Sequence, residues 1–167
     1  SLINLTTFGQ DISLSENKFQ MGRNFANKIW NSFRFIFMNI DEDTEYEDKF
    51  TVTNSFDKWI LSRFTKAVND TKNYLEEYHF NGYAKTLYHF YWGEFCDWYI
   101  ESVKNRLDKK ETVENLLYIG SRYLKLIHPV MPVITETLYS HLPENFRTTE
   151  SIMNGEMFRS NPENKDE

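Results

Sequence analysis

The sequence predicts an all-α fold, an antiparallel bundle of about five helices, and three observations carry that expectation. Glycine and proline together number ten of 167 residues, about half the usual share, so the breakers that short strands and tight turns need are scarce. Hydrophobic residues make up 40% and aromatic residues 17%. That much apolar area offsets chain entropy and excludes disorder over most of the length. The apolar positions also recur every three to four residues, the period of a helix face. The length suits one domain with one sizeable core.

The elements follow in order. Ser13-x-x-Glu16 has the spacing of a capping box, in which two side chains satisfy orphan N–H groups, and predicts a first helix over 14–38. Next come Asp41, Glu42, Asp43, Glu45, Glu47 and Asp48. Like charges at that density repel, so 39–53 reads as a solvated connector pointing away from the first helix's polar face. Asn54 or Ser55 caps a second helix, whose Phe56, Trp59, Ile60, Phe64, Ala67, Val68 and Leu75 hold helical spacing.

Asn81-Gly82 breaks that pattern, and a third helix is expected over 83–107. Tyr83, Leu87, Tyr91, Phe95 and Trp98 form one stripe, while Tyr88, Phe90, Trp92 and Tyr99 spread apolar area to other sides. A helix apolar nearly all round is one surrounded by neighbours, so this one is expected at the centre. Asp108 to Glu111 marks a turn, and a fourth helix over 112–127 presents Val113, Leu116, Leu117, Gly120, Leu124 and Ile127. His128-Pro129 ends it, because the residue before proline is pushed out of the α region. A short fifth helix over 131–142 turns Ile134, Leu138 and Leu142 inward. Residues 13–142 form the bundle, and 143–167 a polar, loosely held tail.

Composition excludes several functions. The single Cys96 rules out a disulfide framework and a cysteine zinc cluster, and suits a reducing, cytoplasmic setting. No apolar run reaches the ~18 residues of a membrane span, and no charged-then-apolar leader opens the chain. Ser1 at the start, followed by Leu2-Ile3-Asn4-Leu5, reads as a piece of a longer polypeptide. Phosphate-binding glycine loops and the G-x-S-x-G and H-E-x-x-H motifs are absent. Cys96 with His89 reads as a buried thiol rather than a catalytic pair. His79, His89, His128 and His141 read as turn or helix-end residues. Glu94, Asp97 and Glu101 read as a solvated or ion-paired edge rather than a carboxylate dyad. No catalytic or metal-binding residue is expected.

The net charge of −6 argues against nonspecific nucleic-acid binding, but the charge is uneven. Residues 17–40 hold no acid, while Lys18, Arg23, Lys28 and Arg34 lie within them. At 100° per residue, Lys28, Asn24, Asn31, Asn27 and Arg34 fall within a sector of about 120°. Phe25, Ala26, Ile29, Phe33 and Phe37 fall opposite. Phe35 is the anomaly, an aromatic in the middle of the polar sector. A ring among amides and cations is what single-stranded RNA needs: the ring stacks a base, amides read base edges, cations meet phosphates. The same pattern fits a Phe35 that packs under the acidic loop or against a neighbouring domain.

Gly9-Gln10-Asp11-Ile12, the run from Arg23 to Asn31, and Arg34-Phe35 resemble the start of the anticodon-binding domain of the valyl-tRNA synthetase family, class I. Trp59-Ile60-Leu61-Ser62-Arg63, Glu94-Phe95-Cys96-Asp97-Trp98-Tyr99-Ile100-Glu101 and the segment from His128 to Glu136 extend the likeness over about 130 of 167 residues. The R-N-F-x-N-K-x-W-N pattern is shared loosely with the isoleucine and leucine enzymes, which stay as alternatives, as does a helical scaffold that binds protein. The resemblance implies a parent that uses ATP and magnesium to join valine to tRNA and edits its errors. The H-I-G-H and K-M-S-K-S signatures of that chemistry are absent here, so no cofactor is expected for these residues. It implies that residues 1–12 end a segment leaving the catalytic domain, and that this domain and a C-terminal arm are partners in the same polypeptide. It also implies a monomer that takes the anticodon loop of valine tRNAs, with Lys28, Asn31 and Phe35 near the bases. Asn24, Asn27 and Arg34 share their face, and Lys18 and Arg34 fit backbone contacts. Arg23 fits either a phosphate contact or an internal ion pair. After Ser151-Ile152-Met153 the tryptophan–proline turn frequent in that family is not found.

Overall fold

The computed structural model describes residues 16–152, with side chains from Gln20 onward. Regular structure among them is helical: α1 (Glu16–Met38), α2 (Ser55–Glu76), α3 over residues 80–106, α4 (Lys110–Ile127) and α5 (Pro132–Ser140), followed by a 3-10 turn (Glu144–Phe146). The expected capping box at Ser13 lies outside the described residues. α1 is amphipathic as its sequence requires, with Phe25, Ile29, Phe33 and Ile36 fully buried.

The acidic segment after α1 is not a free connector. Tyr46 is buried, and its hydroxyl accepts from the Asp41 N–H at 3.0 Å. The Glu47 N–H donates to Glu114 Oε1 at 2.8 Å. Thr51 exchanges two 2.8 Å hydrogen bonds with the Asn115 amide, and Arg122 donates to Asp48 at 2.8 Å. Repulsion among the acids is offset by cations, Arg122 on Asp48 and Lys49 and Lys110 on Glu47, while Glu114 and Asn115 of α4 hold the loop backbone.

Asn54 caps α2 by accepting from the Asp57 N–H. Asp57, Ile60, Phe64, Ala67 and Thr71 form its buried stripe, so Phe56 and Trp59, expected inside, stay at the surface. They lie one residue, about 100°, off that stripe. The break after α2 comes earlier than Asn81-Gly82. Tyr78 adopts a left-handed φ of 56°, and the His79 side chain caps α3 by accepting from the Gly82 N–H. Gly82 belongs to the first turn of α3 and is needed there for close approach: a Cβ would lie 2.7 Å from the Tyr74 ring.

α3 is continuous but changes its winding. It is α-helical over Phe80–His89, π-helical over Phe90–Ile100, α-helical again over Glu101–Val103 and 3-10 over Lys104–Arg106. The i→i+5 bonds of a π-helix put more residues in each turn. Positions seven apart then no longer align, while positions four apart nearly do. Leu87, Tyr91, Phe95, Tyr99 and Val103 are accordingly buried, and Trp98, expected on that stripe, is turned out to solvent at 65% exposure. Tyr91 and Tyr123 stack at 4.2 Å between centroids. Each of these buried phenols has a partner: Ser32 for Tyr91, the Leu87 carbonyl for Tyr123, the Leu126 carbonyl for Tyr83 and Asp57 for Tyr99. A buried hydroxyl without one would cost about 1–3 kcal/mol.

The central helix is α4 rather than α3. From Thr112 to Ile127 only Arg122 and Lys125 escape burial, because α1, α2, α3, α5 and the 3-10 turn all pack on it. Its polar residues Glu114 and Asn115 serve the acidic loop, which is why its composition did not betray its position. α4 ends at Ile127, yet His128 keeps α dihedrals (φ −51°, ψ −44°). The stop comes from Pro129, which has no N–H to continue the ladder, and not from exclusion of His128 from the α region. Nor are residues 143–152 loose: Phe146 and Ile152 are buried, Asn145 donates to the Tyr46 carbonyl, and Thr148 N–H donates to the Tyr139 hydroxyl. The remainder of the expected tail lies outside the described residues.

Candidate nucleic-acid interface

The polar face of α1 survives folding. Arg23, Asn24, Asn27, Asn31 and Arg34 are all exposed, and Lys28 and Phe35 are half-buried beside them. The Asn24 side chain accepts from Gln20 at 3.1 Å, while neither Arg23 nor Arg34 makes an ion pair among the described residues. The side chain of Lys18 lies outside the described residues. Seven of the eight residues picked from the sequence therefore share one described face, fixed by a helix whose opposite side is locked into the core.

α3 runs alongside α1 in the same direction and completes this face. Phe25 meets Tyr88 and Trp92, Lys28 meets Asp97, and Phe35 meets Lys104. Lys28 Nζ sits 3.1 Å from Asp97 Oδ1 and 5.2 Å from the centre of the Trp92 ring, so its ammonium is steered by a carboxylate and an aromatic face. Lys104 Nζ lies 5.9 Å from the centre of the Phe35 ring and pairs with Glu101 at 2.7 Å. Phe35 is neither fully exposed nor tucked beneath the acidic loop. One part of its ring packs against the core and Lys104 approaches it. The Asn39 amide donates to the Phe35 carbonyl, while the described hydrogen bonds of residues 46–51 to other elements run to α4 and Asn145, and those of Thr53 to Asp57 and Arg106.

Sequence reasoning missed Lys104 and the Lys28–Asp97 pair. Both join residues about 70 positions apart, and nothing in local spacing reports such a contact. The other carboxylates on α3 behave as an ion-paired edge: Glu94 receives Arg63 at 2.6 Å and Glu101 receives Lys104. Arg23, Lys28, Arg34 and Lys104 against Asp97 and Glu101 leave the face with a surplus of positive charge. Amides for base edges, a half-open ring for stacking and cations for phosphates are the groups that bind unpaired RNA.

Groups that would suggest chemistry are otherwise engaged. Burial pushes the Cys96 thiol up to about 12, which removes the thiolate a nucleophile needs. His128 Nδ1 is hydrogen-bonded to Thr135, and His79 serves as a cap. A recess between α2 and α3 is lined by Arg63, Lys66, Asp70, His89 and Glu94 among others, but its carboxylates are taken by Arg63 and Lys66. Among the described residues no group of histidine, cysteine, aspartate or glutamate is placed to hold a metal ion, and no helix is long and apolar enough to cross a membrane.

Residues 57–167 match the family described as the anticodon-binding domain of tRNA ligase. The chain is 42% identical over 142 residues to the valine–tRNA ligase of Fervidobacterium nodosum, covering 83% of the chain and 16% of that protein. It is 44% identical over 144 residues to the valine–tRNA ligase of Thermotoga maritima, covering 83% and 16%. To that of Geobacter sulfurreducens it is 43% identical over 164 residues, covering 93% and 18%. The chain thus spans less than a fifth of the length of these curated relatives.

Proposed function

Since the chain belongs to the family of tRNA-ligase anticodon-binding domains, we propose that the α1 face reads the anticodon loop of valine tRNAs for a valine–tRNA ligase. Phe35 stacks an unpaired base, Asn31 and Lys28 meet base edges with Asn24 and Asn27 on the same face, and Arg23, Arg34 and Lys18 hold the surrounding backbone. The catalytic domain and C-terminal arm of the same polypeptide are its partners, and ATP and magnesium act there, in a cytoplasmic enzyme that works as a monomer. The observation that carries this reading is the α1 face itself: one ring set among amides and cations, on a helix whose opposite side is fixed in the core.

Two features shape the mechanism. Lys28 is oriented before RNA arrives, because Asp97 and Trp92 restrict its rotamers, so less entropy is lost on binding. Phe35 is likewise braced by the core and stays half-exposed. Few cations are involved, so affinity is weak and falls with salt.

The test is titration of the chain with a stem-loop bearing a valine anticodon and a control differing only in the anticodon bases, at low and moderate salt. The valine loop binds more tightly, and the Phe35→Ala variant loses about 1–3 kcal/mol of that binding. Equal binding of both loops, or an unchanged Phe35→Ala variant, would refute base reading by this face.

A further inference from the structure

We infer that Trp98 is a second stacking platform for an unpaired base of the same RNA loop, so that the recognition surface spans α3 as well as α1; this rests on the reading of α1 given above. Trp98 is a large apolar ring at 65% exposure, and among the described residues its indole takes no part in the aromatic or cation–π contacts that tie its neighbours together. Its outward position follows from the π-helical winding of Phe90–Ile100, which carries it off the buried line of Tyr91, Phe95 and Tyr99. The core therefore does not explain its size.

Its neighbours explain it better. Asp97, next in the chain, binds Lys28 of the α1 face at 3.1 Å, so Trp98 lies one residue from a contact between α3 and that face. Glu94, one turn before, is paired with Arg63, and Glu101, three residues after, with Lys104. Every carboxylate flanking the indole on α3 thus carries a cation, so an approaching phosphate meets neutral pairs rather than bare negative charge. A helix or sheet from another protein would need a contiguous apolar patch. A single base needs only one open ring with charge-compensated surroundings.

The experiment uses the same valine stem-loop and a set in which each loop nucleotide in turn is abasic. Trp98→Ala is expected to weaken binding about 5-fold or more, while Trp98→Phe, which keeps a ring, stays within about 2-fold of the parent chain. With one particular abasic loop the Trp98→Ala effect disappears, because the stacked base is already gone, and that position differs from the one that cancels Phe35→Ala. Unfolding midpoints of both Trp98 variants match the parent. Unchanged binding by Trp98→Ala, or an effect that persists undiminished on every abasic loop, overturns the inference while leaving α1 recognition intact. Failure of the parent chain to prefer the valine loop overturns the α1 reading and this inference with it.

Discussion

Asp57 is the side chain whose removal should cost this fold most for its size. It is fully buried near the start of α2 and accepts four hydrogen bonds: from the Thr53 N–H at 3.0 Å, the Thr53 hydroxyl at 2.7 Å, the Tyr99 hydroxyl at 2.9 Å and Arg106 at 3.3 Å. Asp57→Ala removes the acceptor of the Tyr99 hydroxyl, which is also fully buried. Thr53 and Arg106 reach water more readily, since the Arg106 side chain is 18% exposed. One orphaned buried donor costs about 1–3 kcal/mol, and breaking a largely buried ion pair about 3–5 kcal/mol. The partial exposure of Arg106 places the expected loss near 3 kcal/mol. For a chain of this size that lowers the melting midpoint by about 6–12 °C.

Burial by itself raises the Asp57 carboxyl, but the hydrogen bonds from Thr53, Arg106 and Tyr99 outweigh it and hold the group below the ordinary carboxylate value. A native value below the unfolded one means stability that is complete above the unfolded pKa of about 3.9 and is lost as pH falls through the native value. The gap between the parent chain and Asp57→Asn should therefore be widest at neutral pH and close below about pH 4. Urea unfolding followed by far-ultraviolet circular dichroism, at neutral pH and at intervals down through that range, measures both effects. A loss under about 1 kcal/mol in Asp57→Ala, or a gap to Asp57→Asn that stays constant in acid, would refute the reasoning.

Three further expectations concern the site and its supports. Asp97→Asn removes a negative charge from the α1 face while Trp92 still steers Lys28. The gain in charge outweighs the lost orientation, so stem-loop affinity should rise about 2- to 5-fold at low salt and the gain should shrink as salt is added; stability changes little because the pair is partly exposed. Cys96, with its thiol pushed up to about 12, should resist iodoacetamide at pH 8 in the folded chain and react once denaturant is added, as mass spectrometry would report. Gly82→Ala forces a Cβ to within 2.4 Å of His79 Nδ1 and 2.7 Å of the Tyr74 ring, and should cost about 1–3 kcal/mol in chemical unfolding.

The elements of this fold were legible because each rests on local signals. The period of Phe25, Ile29 and Phe33, the Asn54 cap and the Pro129 stop act over one or two turns, and so they read correctly from a linear string. The α1 polar face was legible for the same reason: 100° per residue is a property of the helix, so Lys28, Asn31 and Phe35 had to share a side. Errors arose where a partner far along the chain decided the outcome. The acidic loop looked unpackable until Arg122 paired with Asp48 and Asn115 took up the Thr51 backbone, and Phe56 looked internal until Asp57 took the inward position to meet Tyr99 and Arg106.

By itself, the sequence determined an all-helical chain, the order of its helices and the residues that line the polar side of the first. Those follow from backbone geometry and from the burial preference of side chains a turn or two apart. Tertiary structure alone decided that α4 lies at the centre, that Lys28 is held by Asp97 and Phe35 approached by Lys104, and that Trp98 faces outward. The first three depend on contacts between distant segments. The last depends on an i→i+5 winding of α3, which shifts the phase of a pattern that α-helical spacing would have read as core.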